Sequence, residues 1–351
     1  MPVSIFNTPG LDKLRSELRL DPQKIRQLRR SLLKRFVSDE TALDKFEAPE
    51  HIDCHALELF RRCDSKIDGA SKLLFRTATG MLIESVVLRI ASGRTTLCVS
   101  SQVGCAAACE FCATGKMGVA QNLSASEILD QVLQAGQLLA CEDHRLRNIV
   151  FMGMGEPFHN EDNLYGSLDA LVAPELFHHP PTKILVSTVG IPDAMVRCAR
   201  RYPEVNLALS LHSVRQQVRE RLIPLAKKYA LEELQQTLRK VNRLQRSTVM
   251  IEYLLLAGVN DAVDDAQELI DWLSGLNVHV NLIPYNPIED APELIGTERS
   301  ERDAFAGLLK RAGLQTTIRY SLGNDIAAAC GQLVKKENRQ IAQLNNFQTR
   351  V

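Results

Sequence analysis

The sequence predicts an α/β fold, an incomplete (βα)6 TIM-type barrel preceded by a small, mainly helical N-terminal accessory domain. From about residue 94 the chain alternates short apolar runs with helical patterns, and such alternation builds parallel βαβ units. About six units are present, more than a flavodoxin-like sheet needs and fewer than a closed eight-fold barrel contains. Residues 1–80, by contrast, are polar and carry a helical rather than an alternating pattern.

In chain order, the accessory domain spans residues 1–80 and ends near Gly80, the barrel spans 81–335, and 336–351 form a polar tail. Within the accessory domain, Lys13, Arg15, Arg19, Lys24, Arg26, Arg29, Arg30, Lys34 and Arg35 face only Asp12, Glu17 and Asp21. Ile25, Leu28, Leu32 and Phe36 recur at helical spacing, so these charges line the outer face of an amphipathic helix. A solvated helix face is the plain reading and an RNA contact the functional one.

The barrel strands are expected at 96–99, 148–152, 183–187, 205–211, 248–255, 278–283 and 316–319. Ser124 and Glu127 form a capping box ahead of a helix carrying Ile128, Val132 and Leu139. In a barrel of parallel strands the functional site lies at the carboxyl ends, and the richest loops of this sequence follow strands.

Composition narrows the class. An apolar fraction of 45% suits a globular chain. No run of about 18 apolar residues predicts a membrane span, and the N-terminus has no basic region followed by an apolar core. Nine cysteines, with three crowded into one loop, read as metal and thiol chemistry in a reducing, cytoplasmic setting rather than a disulfide framework. The charge balance of 42 basic to 42 acidic residues removes any whole-chain argument for a polyanionic partner.

The most informative loop holds Cys105, Cys109 and Cys112 in the spacing Cys-x3-Cys-x2-Cys. Thiolates are soft ligands that select zinc, copper(I) or iron-sulfur clusters. Structural zinc takes four protein ligands, and no fourth Cys or His lies in or beside this loop. A [4Fe-4S] cluster held by three thiolates keeps one iron free of protein, while zinc remains the alternative reading of the spacing.

Together with Gly153-Met-Gly155-Glu156-Pro157 after the next strand, this loop resembles the radical S-adenosylmethionine (SAM) superfamily. The resemblance sharpens with Cys98-Val-Ser-Ser-Gln-Val-Gly-Cys105, Ser187-Thr-Val-Gly190, Ser210-Leu211-His212-Ser213, Gly258-Val-Asn-Asp261, Asn281-Leu-Ile-Pro-Tyr-Asn286-Pro287 and Gly323-Asn-Asp-Ile-Ala-Ala-Ala-Cys330-Gly-Gln-Leu333. From about Met81 to Leu333 the chain is similar, in order and spacing, to the RlmN/Cfr family of radical SAM RNA methyltransferases. Ala327 stands where the family usually has an acidic residue.

That resemblance implies a radical SAM barrel with one [4Fe-4S] cluster on Cys105, Cys109 and Cys112, and SAM bound to it. Gly155 and Glu156 would meet the methionine amino group, and Ser187, Ser210, Leu211, His212 and Asn286 the ribose and carboxylate. Cys330 would carry a methyl group as S-methylcysteine, Cys98 would release the product through a transient disulfide with Cys330, and Glu84 would accept a ring proton. The implied reaction methylates C2 or C8 of an adenine in RNA, 23S rRNA first and tRNA second, with reduced flavodoxin as electron donor. The alternative is a radical SAM enzyme acting on a small molecule or protein, against which the Cys98 and Cys330 pair argues. Cys54, Cys63, Cys141 and Cys198 match no motif and read as packing or surface residues.

Overall fold

The computed structural model describes residues 2–118 and 120–333; the polar tail expected at 336–351 lies outside them. The chain opens with three helices, Thr8–Glu17 (α1), Pro22–Arg29 (α2) and Asp39–Leu43 (α3). The basic stretch is therefore not one helix. Arg19 takes a left-handed φ of 52°, and Asp21 caps α2 by accepting the Gln23 N–H at 2.8 Å, ahead of Pro22 in the first turn. Ile25, Leu28 and Leu32 are buried as their spacing predicts. Arg29 departs from the charged outer face. It turns inward and donates to the Ile5 carbonyl at 3.2 Å and to Thr8 Oγ1 at 2.9 Å.

One ten-stranded sheet organises the rest: Glu58–Asp64 (β1), Ala70–Arg76 (β2), Leu82–Arg89 (β3), Thr95–Cys98 (β4), Asn148–Phe151 (β5), Ile184–Thr188 (β6), Asn206–Ser210 (β7), Val249–Leu255 (β8), Val278–Pro284 (β9) and Gln315–Ile318 (β10). Sheet order follows sequence order from one edge to the other. Strands β4 to β10 are parallel. Their crossovers carry Ala125–Cys141 (α4), Glu161–Val172 (α5), Pro192–Arg201 (α6), Gln216–Leu222 (α7) with Leu231–Leu244 (α8), Val263–Leu273 (α9) and Arg299–Arg311 (α10). Six crossovers between seven parallel strands make the incomplete (βα)6 barrel. The capping box of α4 is present, with Ser124 accepting the Glu127 N–H at 3.3 Å and Glu127 accepting the Ser124 N–H at 2.8 Å.

Strands β1 to β3 are antiparallel and join the same sheet through β4. The mainly helical reading of residues 1–80 thus holds only as far as Leu43, because β1 and β2 belong to the sheet. In β2 the run Ala-Ser-Lys-Leu-Leu-Phe is buried throughout, so no one-sided stripe marked it. Pairing with β3 overrides the helical preference of Leu and Lys. Strand β1 is an exposed edge without an apolar face.

The segment after β10 bridges to the β1–β2 turn and so covers the open side of the barrel. Gly323 N–H donates to Asp68 at 2.8 Å, Ser65 Oγ and Lys66 N–H donate to Asp325 at 2.8 Å, and Lys72 Nζ donates to the Ala327 carbonyl at 3.1 Å.

The helical N-terminus is tied to the barrel by His55, whose ring nitrogens lie 2.8 Å from Asp130 on α4 and 2.5 Å from Asp39 on α3. Burial opposes protonation of His55, but the two carboxylates outweigh it and raise its pKa to about 10. Among the described residues no helix is long and apolar enough to cross a membrane.

Candidate active site

A cleft opens at the carboxyl ends of the parallel strands. Strand ends around the sheet contribute to one wall after another: Met152 after β5, Ser187 in β6, Ser210 in β7, Glu252 in β8, Ile283 in β9 and Arg319 after β10. Arg319 Nη1 reaches across to Met152 Sδ at 3.3 Å, so the sheet curves far enough to bring β10 towards β5.

The cysteine loop forms one side of the cleft, and Cys105, Cys109 and Cys112 all line it. The loop turns tightly through left-handed residues, Gly104 at φ 76° and Ala108 at φ 55°. Gly115 is needed because a Cβ there would lie 2.8 Å from the Cys109 backbone nitrogen. Burial raises the pKa of Cys105 to about 12 and raises Cys109 and Cys112 as well. Such thiols ionise readily only against a bound cation. The three thiols lie close enough together for Cys112 to add to the raised pKa of Cys105, and for Cys112 and Cys105 to add to that of Cys109, a soft donor set of the kind that holds zinc or an iron-sulfur cluster.

Beside the cysteines, Gly155 has φ 103° and packs so closely that a Cβ would lie 2.6 Å from Gln102 Cβ. Gln102 Oε1 accepts the Glu156 N–H at 2.9 Å. The Glu156 carboxylate is fixed by the N–H groups of Phe158 at 3.1 Å and Val189 at 2.8 Å, and burial raises its pKa to about 7. Both residues line the cleft, as do Ser187, Ser210 and His212. His212 Nδ1 accepts the Leu254 N–H at 3.0 Å, which leaves the proton of the neutral ring on Nε2. Burial first, and the Arg219 charge second, push its pKa down to about 3. Phe111 of the cysteine loop meets the ring edge-on, with centroids 4.8 Å apart.

Leu211 and Asn286 are not among the residues whose atoms line the cleft. The Leu211 side chain is fully buried in the core and its N–H donates to the Glu252 carbonyl at 3.0 Å. Asn286 Nδ2 donates to Ser321 Oγ at 2.9 Å and to the Cys330 carbonyl at 3.0 Å, so its amide steadies the Cys330 segment.

Cys330 lines the cleft. Its neighbour Gly331 gives a carbonyl to the Ala113 N–H of the cysteine loop at 2.7 Å, which holds the distant segment against the loop. Cys98 ends β4, close enough to Cys330 for that neighbour to disfavour ionisation of the Cys98 thiol. Burial and then Cys330 raise the Cys98 pKa to about 12, while Arg319 works to lower it. Glu84, on β3, is buried with Oε1 3.6 Å from Lys72 Nζ.

With this geometry in place, likeness to known proteins becomes decisive. Residues 99–273 match the Radical SAM superfamily. A probable RNA methyltransferase of Rhodopirellula baltica is 58% identical over 340 residues, 97% of this chain and 90% of that protein. A probable dual-specificity RNA methyltransferase RlmN of Thermus thermophilus is 42% identical over 274 residues, 78% of this chain and 77% of the relative. The chain belongs to the RlmN/Cfr family of radical SAM RNA methyltransferases. A crystal structure of a radical SAM methyltransferase from Sphaerobacter thermophilus superposes with a TM-score of 0.88 at 35% identity, covering 95% of this chain and 99% of that one. The family implies a [4Fe-4S] cluster and SAM, and the three clustered thiols beside Gly155 and Glu156 offer a fitting donor set.

Sequence reading missed Glu252, Arg319 and Arg219. Glu252 is buried in β8, raised by burial, and accepts from Asn281 Nδ2 at 2.9 Å. A lone carboxylate inside Val-Met-Ile-Glu-Tyr-Leu-Leu was the available signal. Arg319 is held charged chiefly by Cys330, with Glu252 adding to the effect. Fully buried Arg219 donates to the Val189 and Ser210 carbonyls, and its helix gave no hint that it turned inward.

Proposed function

We propose that this enzyme methylates a ring carbon, C2 or C8, of an adenine in RNA, 23S rRNA first and tRNA second, with Cys330 as the methyl carrier. The observation that carries this reading is the pair Cys98 and Cys330, thiols from opposite ends of the barrel domain brought together beside the cysteine loop. An amidine carbon of adenine is electron-poor and cannot attack a methyl donor as a nucleophile. When bound, the cluster and SAM supply the methyl group and a one-electron route that avoids this obstacle.

The chain's own residues then divide the work. Cys105, Cys109 and Cys112 hold the cluster. Gly155, Glu156, Ser187, Ser210 and His212 hold SAM, with Leu211 and Asn286 shaping its surroundings. Cys330 accepts the methyl group on sulfur. One hydrogen atom of that methyl would pass to the SAM-derived radical, the carbon would join the ring and tether the RNA covalently, and the one unpaired electron left on the ring would return to the cluster. Glu84 accepts the ring proton, and the electrons of that C–H bond stay in the ring. Cys98 attacks the Cys330 sulfur. The new S–S bond replaces the S–C bond, whose electron pair leaves with the carbon and is protonated to complete the methyl group. A thiol reductant returns the disulfide to two thiols. RNA docking falls to the N-terminal region with its basic residues, electrons come from a flavodoxin-type donor, and the setting is cytoplasmic.

Cys330→Ala abolishes product on this account, whereas Cys98→Ala accumulates a protein–RNA adduct visible as a slow band on a denaturing gel. Full methylation by the Cys330 variant overturns the carrier role. An RNA-independent turnover of SAM with one small-molecule or protein product would favour the alternative substrate.

A further inference from the structure

The proton-accepting carboxylate has a buried cationic neighbour on the adjacent strand. In the register of the sheet, Lys72 on β2 stands opposite Val86 on β3, Val86 stands opposite Cys98 on β4, and Glu84 stands opposite Leu74. Alternation along each strand therefore sets Lys72, Glu84 and Cys98 on one face, while Ser85 on the other face bonds Gln131 of α4 at 2.7 Å. The Lys72 side chain is 4% exposed and that of Glu84 0%, with Nζ 3.6 Å from Oε1. The same ammonium donates to the carbonyl of Ala327 at 3.1 Å. Ala327 is held at a left-handed φ of 49°, three residues before Cys330.

We propose that Lys72 is the positioning residue of the proton-accepting step, keeping Glu84 ionised in a buried site and fixing it relative to the segment that carries Cys330. The inference rests on Glu84 being the proton acceptor. A carboxylate without water or a countercharge takes up a proton, and a protonated carboxyl cannot serve as a base. Lysine on the neighbouring strand supplies the charge. It touches no reacting atom: the ring C–H bond breaks, its electron pair remains in the ring, and the proton forms an O–H bond on Glu84. Protonated Glu84 then loses its ionic hold on Lys72, so proton transfer is felt by the Cys330 segment through Ala327. The other titratable groups near this face are Cys98 on β4, with Cys330 and Arg319 beyond it; Asp68 and Asp325 hold the far end of the same segment.

The test uses cluster-loaded full-length enzyme with RNA and SAM, comparing wild type, Lys72→Met, Lys72→Gln, Lys72→Arg and Glu84→Gln. Methylation of Cys330, read by peptide mass spectrometry, precedes the proton transfer and stays at the wild-type level in the Lys72 variants. Release of methylated RNA by Lys72→Met and Lys72→Gln falls about tenfold for each unit by which the Glu84 pKa rises. Adduct accumulates at neutral pH, the deficit shrinks as pH increases, and Lys72→Arg keeps turnover. Lys72→Gln retains a donor for Ala327 and lacks the charge, which separates charge from fold. Wild-type release with an unshifted pH profile in both neutral variants overturns the proposal. Failure of Glu84→Gln to accumulate adduct overturns instead the proton-acceptor reading on which it stands.

Discussion

Replacing Gly155 by alanine tests how tightly the SAM end of the cleft is built. The residue has φ 103°, and the new Cβ would lie 2.6 Å from Gln102 Cβ and 2.8 Å from both Gln102 Cγ and the Gln102 backbone nitrogen. A side chain could swing aside, but the backbone nitrogen could not, because the strand Gln102–Gly104 pairs with Ala120–Asn122. Strain from a left-handed backbone costs about 1–3 kcal/mol, and overpacking adds about 1–3 kcal/mol. The sum, roughly 2–6 kcal/mol, has two outlets. If the whole domain bears it, the melting temperature falls, by about 2 °C per kcal/mol in a domain of this size. If the Gly-Glu-Pro turn moves instead, the Glu156 N–H leaves Gln102 Oε1, the hold proposed for Gly155 and Glu156 on the SAM amino group loosens, and SAM affinity falls about tenfold or more. Thermal unfolding and equilibrium dialysis with SAM, run on the same cluster-loaded protein, report both. An unchanged melting temperature together with unchanged SAM affinity would refute the packing argument.

Two pH-dependent predictions follow from other groups. His55→Ala removes the bridge between Asp39 and Asp130, leaving a buried carboxylate short of one charged partner, and should cost about 2 kcal/mol of stability at pH 6. Because the folded pKa of His55 is raised from 6.5 to about 10, its contribution is complete below about 6.5 and is lost as pH rises through 10; thermal melts of the two proteins should converge there, and a constant gap would contradict the charged bridge. Cys98, raised to about 12 by burial and by Cys330, exposes about tenfold more thiolate per pH unit below that value. Adduct breakdown in single-turnover assays should accelerate from pH 7 to 9, and Arg319→Met should shift the profile further towards alkali; a flat profile would remove Cys98 thiolate attack as the slow step.

The central parallel strands β8 and β9 were legible because they are apolar runs buried on both faces: 248–255 became Val249–Leu255 and 278–283 became Val278–Pro284. Strands β1 and β2 were not, since one is exposed along its length and the other buried throughout, so neither alternates. The site shows the same division. Short-range motifs placed the cysteine loop, Gly155, Glu156 and His212 in one cleft, but Glu252 and Arg319 reach it only because the sheet curves β8 and β10 around the interior. Lys72 belonged to a segment read as helix, and only strand pairing turns it towards Glu84. Asn286 shows the limit of local reading, since its partner Cys330 lies 44 residues away.

The central claim, that this enzyme methylates a ring carbon of adenine in RNA, is tested most directly by nucleoside mass spectrometry. Ribosomal and transfer RNA would be taken from a host lacking its own enzyme of this family, with and without this protein, and compared with 2-methyladenosine and 8-methyladenosine standards. The account predicts that one of the two appears only when the protein is present, and its identity names the carbon. Absence of both from RNA exposed to enzyme that carries its cluster and cleaves SAM would contradict the claim.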